Sequence, residues 1–555
     1  MIAIAALIAL LSFGTKFKAN RDCLLTTAGF FSYMLARVLT SPAPYSARSD
    51  LYCILASLAV YGVTVFALDG TARRITLIVL LIFVGMVHVL AGVIQTGLGV
   101  NLAVTSFLQD LDHQTRATGL YANPDHLAGL LEVLGIFGLS LTCWSRRPGW
   151  IRVCLGYLTA ICYLGAILTG SRAGYLSITV SLAVFAILSG LALWSAGMAP
   201  LIKFGGIGLA LLASGLLAAG VMIQRDPMLR ERTQQLFVDQ GRLALWHAAI
   251  EQWKLAPILG TGGGTYRFYG RQFREPTMQG DPVVVHNDYL QLLCEYGLVA
   301  ALGFLLFLFA HCRNAWRAFV HFGLERLAAG NLPSSDRLAL IIATLCAIAA
   351  YVIHSGVDFN LHVPANALLV AFCFGIAANS GSNQTSAGRT SGTHLIPKFA
   401  AAAVAMVLLL QCIRLLPAEN FTEEARVALG DEKPDLAASL ARQALLSDRK
   451  NPNTFFYLGR ALAASISNKP ADERKASSYE PALSAFAEAS QLSPLDGTYA
   501  LDMAFIYDEL GRFEEAESKF AIARARDPRS DVIEQLYRSH LEARANSGSA
   551  RGNKP

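Results

Sequence analysis

The chain has 555 residues, is 54% hydrophobic and only 15% charged, and carries a formal net charge of +6. Soluble domains average about 25% charged residues, so a mean hydropathy of +0.43 excludes an ordinary soluble protein, and the modest net charge gives no reason to expect a nucleic-acid partner. The ten cysteines include no CxxC pair and none lies in the C-terminal region, which argues against a disulfide framework and a zinc site.

Up to about residue 416 the chain is a series of apolar runs, each roughly long enough to cross a hydrocarbon core. About twelve spans are predicted, at 2–13, 23–39, 51–68, 75–97, 125–143, 153–169, 173–195, 203–223, 288–310, 338–354, 364–378 and 398–416. The start, "MIAIAALIALLSFGTKFK", has no basic n-region or small-residue cleavage site, so it reads as a short span and not as a removed signal peptide. Basic short loops ("GTKFKANRD", "DGTARR", "WSRRPGWIR" and 313–337) mark the inner side. Alternation then puts 98–124, 170–172, the long loop 224–287, 355–363 and the C-terminal region outside. The long loop is basic too, but loops of this length escape the rule.

The polar residues that break the apolar pattern fall on that outer side. "RATGLYANPDHLAGLLE" leads into the fifth span with Arg116, Tyr121, Asn123, Asp125 and His126. "LTGSRAGYLS" puts Ser171 and Arg172 in a turn between spans. "GRLALWHAAIEQW" reads as an amphipathic loop helix with Leu243, Trp246, Ala249, Ile250 and Trp253 on one face and Arg242 near its start. The glycines of "PILGTGGGTYRFYG" are expected to form a flexible turn. They lack the strand and Lys-Ser/Thr context of a phosphate loop. "HNDYLQLLCEYG" opens the ninth span, and "HSGVDFNLHVPAN" follows the tenth.

Each element has a plain reading. Asn123, or the group His286, Asn287 and Asp288, would cap a helix, and Arg172 would reach up to lipid head groups. His354, Asp358 and His362 are spaced by four, but Gly356 and Pro364 interrupt any helix there, so no metal site is expected. Together the residues suit chemistry on an anionic, membrane-held substrate. Arginines at a membrane boundary are costly without partners, their planar forks bind diphosphate oxygens bidentately, and a histidine can take a proton from an attacking hydroxyl at neutral pH.

From 417 to 545 the chain is charged and alanine-rich, and it repeats. Pro494 and Pro528 lie 34 residues apart, the period of tetratricopeptide helix pairs. Tyr507, Gly511, Ala516, Phe520 and Ala523 precede the second proline at that repeat's offsets, and Ala482, Phe486 and Ala489 precede the first. About three repeats fit, forming an α-solenoid of the kind that binds proteins or peptides. Residues 546–555 are expected to be a disordered tail.

The order "NPDHLA", "TGSRAGYL", "GRLALW…PILGTGGG" and "VHNDYLQLLCEYGLVA" resembles the O-antigen ligase and polymerase family of bacterial envelopes, over about residues 75 to 378. The resemblance implies an all-α, polytopic inner-membrane glycosyltransferase with no cofactor and no metal. It would move a glycan from an undecaprenyl-diphosphate carrier, at the outer (periplasmic) face, to lipid A–core, to another glycan or to a protein. It also implies catalytic roles for Arg172, Arg242 and His286. Arg116, Asn123, Ser171, Asn287, Asp288 and Asp358 are the candidate substrate-binding residues beside them. The family's "NPN" stands here as "NPD", so Asp125 departs from its pattern. A transporter or flippase for lipid-linked glycans, with the arginines as its pathway, and a non-catalytic scaffold are the readings of other classes.

Overall fold

Asparagine and serine start the helices that matter. A computed structural model of the chain describes residues 19–68, 70–98, 116–196, 240–325, 335–380, 395–468, 470 and 475–552. The spans expected at 2–13 and 203–223, and the first part of the long loop, lie outside the described residues. Among the described residues every regular element is helical. In order they are α1 (Arg21–Leu39), α2 (Arg48–Phe66), α3 (Thr71–Leu98), α4 (Pro124–Trp144), α5 (Gly149–Leu168), α6 (Arg172–Ser195), α7 (Gln240–Leu255), α8 (Tyr266–Gln272), α9 (Asp288–Phe319), α10 (Asp336–His354), α11 (Pro364–Ala378) and α12 (Leu395–Gly430). Six more follow: α13 (Pro434–Ser447), α14 (Pro452–Ser467), α15 (Glu480–Leu492), α16 (Thr498–Glu509), α17 (Phe513–Arg526) and α18 (Asp531–Gly552).

Eight helices among the described residues are long and apolar enough to cross a membrane, against the twelve spans expected. They are α2 to α6, α9, α10 and α12. α11, at 15 residues, is shorter. Of the eight, α4 and α10 are the most deeply buried. They pack on each other, and both pack on α6, which makes them the centre of the bundle.

The local geometry qualifies the expectations. α12 runs unbroken from the last apolar run into the charged region, across Pro417. Its packing on both α2 and α13 holds one continuous helix there. α18 continues to Gly552, and the helix-forming run Leu541–Ala545 carries it on. α7 is a helix, but its buried face is Ala244, Leu245, Ala248, Ala249 and Gln252, while Leu243 and Ile250 are exposed. Small residues let α7 approach α9 closely; Leu245 and Ala249 join the buried cluster with Trp246 and Trp253 packed against it, and Leu243 and Ile250 turn outward.

The glycine-rich stretch is also corrected. It is a tight strap and not a flexible turn. Gly297 breaks α9 with φ 74°, leaving backbone groups without helical partners. Residues 256–262 supply them: Thr261 and Gly262 N–H donate to the Cys294 and Glu295 carbonyls (3.1 and 2.8 Å), and Leu298 and Val299 N–H donate to those of Pro257 and Ile258 (3.0 and 3.2 Å). A Cβ on Gly260 would sit 2.3 Å from the Glu295 carbonyl oxygen, and one on Gly297 2.3 Å from that of Ile258. Only glycine permits the approach. Backbone groups at membrane depth need internal partners, and here the loop supplies them.

In the C-terminal helices Ala482, Phe486, Ala489, Ala516, Phe520 and Ala523 are buried. Pro494 and Pro528 follow the C-caps of α15 and α17, where a proline ends a helix. These helices fold back onto the loop. Arg271 meets Asp496 at 3.0 Å and Arg274 meets Asp527 at 2.6 Å. Arg48, at the start of α2, pairs with Asp448. The C-terminal region, α7, α8 and the N-terminus of α9 therefore occupy one side of the bundle.

Candidate active site

At the mouth of α9 the three polar residues divide the work. Asn287 is the cap: its Oδ1 accepts from the N–H groups of Tyr289 and Leu290 at 3.0 and 3.1 Å. Asp288 is 4% exposed and faces inward. Its carboxylate meets His362 Nδ1 at 2.8 Å and accepts from Leu361 N–H at 3.1 Å. Burial opposes the charge on His362, but the hydrogen bond and negative charge of Asp288 prevail and raise its affinity for a proton. His286 is left for other work.

The His286 backbone has φ 54°, a left-handed conformation uncommon for a residue with a side chain. Its Nδ1 lies 3.2 Å from Oδ1 of Asp358, which is completely buried. Burial alone would favour the neutral acid. The hydrogen bond from His286 and the imidazoles of His354 and His126 outweigh it, so the carboxyl is held below its ordinary range. An ionised carboxylate only accepts hydrogen bonds. In the neutral ring, Nδ1 of His286 therefore carries the hydrogen and Nε2 the lone pair.

Arg242, from the first turn of α7, donates to the Val357 carbonyl at 2.7 Å. The loop helix and the mouth of α9 thus meet on one turn, 357–358. On the neighbouring side Arg116 donates to Asp125 Oδ1 and to the Thr169 carbonyl, both at 2.7 Å. Asp125, the departure from the family's asparagine, is the ion-pair partner of Arg116. Asn123 caps α4 through Asp125 N–H at 2.8 Å. Ser171 is buried and caps α6 through Gly174 N–H at 3.1 Å. Half-buried Arg172 opens α6 beside the turn that Arg116 holds.

Three groups that the sequence reading did not single out for a role stand behind His286. Phe359 is edge-on to both His286 and His126, with ring centroids 4.7 Å from each. Glu132 and His354, fully buried on α4 and α10, meet at 3.0 Å. A signal for Glu132 was present: a lone carboxylate in "HLAGLLEVLGIFGLSL" is expensive in a span and marks function by default. His354 and Asp358 face each other at 3.9 Å, but His362 does not join them. The three reach Glu132, His286 and Asp288 respectively. Among the described residues no group of three His, Cys, Asp or Glu side chains could hold a metal ion.

Beyond Phe359 lies a cavity of about 1050 Å³ between α1, α2, α9, α11 and α12. Its walls are mainly apolar (Phe30, Phe307, Val370, Leu408), with Asp50, Asp288, Glu295 and His362 also lining it.

Residues 157–305 match the family model described as O-Antigen ligase. The match runs from α5 to the middle of α9 and contains Arg172, Arg242 and His286. It supports an O-antigen ligase-like, multi-pass membrane enzyme. It does not reach Arg116, Asp358 or the C-terminal helices. No curated protein matches the chain significantly.

Proposed function

We propose that the protein is an inner-membrane glycosyltransferase that moves a glycan from an undecaprenyl-diphosphate carrier to an acceptor hydroxyl at the periplasmic face. The observation that carries the reading is the meeting of His286 and Arg242 on one turn, 357–358, within reach of the matched segment. His286 Nε2 takes the acceptor's proton as its oxygen attacks C1, while Nδ1–H stays on Asp358. The C1–O bond to the diphosphate breaks, and its electron pair leaves on the diphosphate oxygen. Arg172 and Arg242 hold that group and offset its charge, so no metal is needed for the step. Direct displacement inverts the anomeric centre. The apolar cavity beside Phe359 suits a lipid chain. The C-terminal helices, read as a tetratricopeptide-type solenoid, would take a protein or peptide.

A flippase needs polar groups spread through the bilayer. The placement of the arginines and His286 at one end of the helices favours transfer. The test is the glycan profile of a deletion strain, with lipopolysaccharide, capsule and glycoprotein examined separately, carrying wild-type protein or the Arg172→Lys and Arg242→Lys variants. One glycan class should be lost on deletion and poorly restored by the lysine variants, because lysine offers a point charge and not a fork. Full restoration by both would exclude bidentate recognition. An unchanged profile on deletion would favour a scaffold.

A further inference from the structure

We propose that the buried pair Glu132–His354 is a positioning device for Asp358, the carboxylate that orients His286. The inference rests on the reading of His286 as the base. His354 Nδ1 lies 3.1 and 3.0 Å from the two oxygens of Glu132. Ser177 Oγ donates to Glu132 Oε2 from α6. On the ring's other side His354 Nε2 faces Asp358 Oδ2 at 3.9 Å. Neither of those two atoms has a hydrogen-bond partner, and both are buried. The order Ser177, Glu132, His354, Asp358, His286 joins the centre of the bundle to the candidate base.

A structural pair alone accounts poorly for this arrangement. Carboxylate and imidazole inside a span cost several kcal/mol of desolvation each, and apolar packing between α4 and α10 would hold these helices at lower cost. Two unpartnered atoms facing each other across the last gap are the feature that a purely structural pair does not need. Flanked by two carboxylates, the ring can donate from both nitrogens, which fixes Asp358 and puts positive charge behind it. The other groups around Asp358 are His126 on α4 and Arg242 on α7, which bonds the adjacent carbonyl, and Asp125 on α4 acts on His354. Tyr163 on α5 and Tyr351 on α10 stand beside Glu132.

The sign of the effect follows. Positive charge at His354 opposes protonation of His286. Removing it makes the free base appear only at higher pH, so the acid limb of the rate profile moves up. Removing the Asp358 carboxylate moves the limb down. The experiment uses full-length protein in proteoliposomes, with undecaprenyl-diphosphate glycan extracted from the producing cells as probe. Initial rates of undecaprenyl diphosphate release are measured against pH. Glu132→Gln and His354→Gln should lower kcat roughly 10–100-fold, as losing an orienting partner does elsewhere. KM for the donor should change little, and the acid limb should rise. Asp358→Asn should move the limb the other way, and Glu132→Asp should recover part of kcat. A wild-type kcat and profile in either glutamine variant overturns the proposal, as does a loss confined to KM. Failure of all three Glu132 and His354 variants to accumulate also overturns it, since the pair would then be structural. A fully active His286→Asn in the same assay would instead refute the assignment of the base.

Discussion

Two neighbouring residues at the mouth of α9 separate stability from chemistry. Asn287 makes the capping bonds, so Asn287→Ala should cost about 1 kcal/mol of stability. His286 makes no capping bond to α9. It reaches Asp358 from a left-handed backbone. Asparagine tolerates that conformation better than other residues with a side chain, but it cannot take a proton near neutral pH. His286→Asn should therefore accumulate like wild type and lose roughly 10²–10⁴-fold in rate, the usual contribution of a general base. Quantified protein in membranes, with donor consumption measured per molecule, checks both halves. Wild-type turnover in this variant would return His286 to a structural role.

At the level of elements, "EYGL" and "PILGTGGG" are one device. Gly297 interrupts α9, and the strap 256–262 closes the interruption with four backbone hydrogen bonds. Tyr33 and Arg37 on α1 hold the strap through the Leu259 and Gly260 carbonyls. Gly297→Ala should fold poorly, because a left-handed alanine costs roughly 1–3 kcal/mol and its Cβ would meet the Ile258 carbonyl oxygen at 2.3 Å. The yield of monodisperse protein in detergent reads this, and a normal yield would mean that the strap yields easily. The pairing of these segments was not legible in the sequence. Caps were, because Asn123 and Asn287 act within three residues of themselves. The sequence order that brings out Arg172, Arg242 and His286 was legible too. Contacts such as Glu132–His354, 222 residues apart, leave no local pattern beyond a lone acid in an apolar run. The face of α7 was legible in part: Trp246, Ala249 and Trp253 pack inward as expected. Leu243 and Ile250 are exposed, because periodicity ranks large apolar residues first whereas a close helix contact selects small ones.

At the scale of the whole molecule, ion pairs tie the C-terminal helices to the loop that carries Arg242. Arg274 and Asp527 are 5% and 11% exposed in their pair, and Arg529 and Gln279 add hydrogen bonds across the same contact. Pairs this buried are strongly destabilising to break from one side, so loop and tail should stay together on one side of the membrane. The basic short loops predict that this side is outside. Cysteines introduced one at a time for Glu275 in the loop, Leu446 on α13 and Arg146 between α4 and α5 test this. Leu446 and Arg146 are exposed, the Glu275 side chain is 42% exposed, and the native exposed Cys143, Cys154 and Cys412 are first replaced by serine. In intact spheroplasts an impermeant thiol reagent should label the loop and tail positions, and the Arg146 position only after the membrane is opened. The reverse pattern would invert the orientation but keep loop and tail together. Labelling of the loop position without the tail position would break the docked arrangement itself, because no single orientation of the bundle places Arg274 and Asp527 in contact across a bilayer.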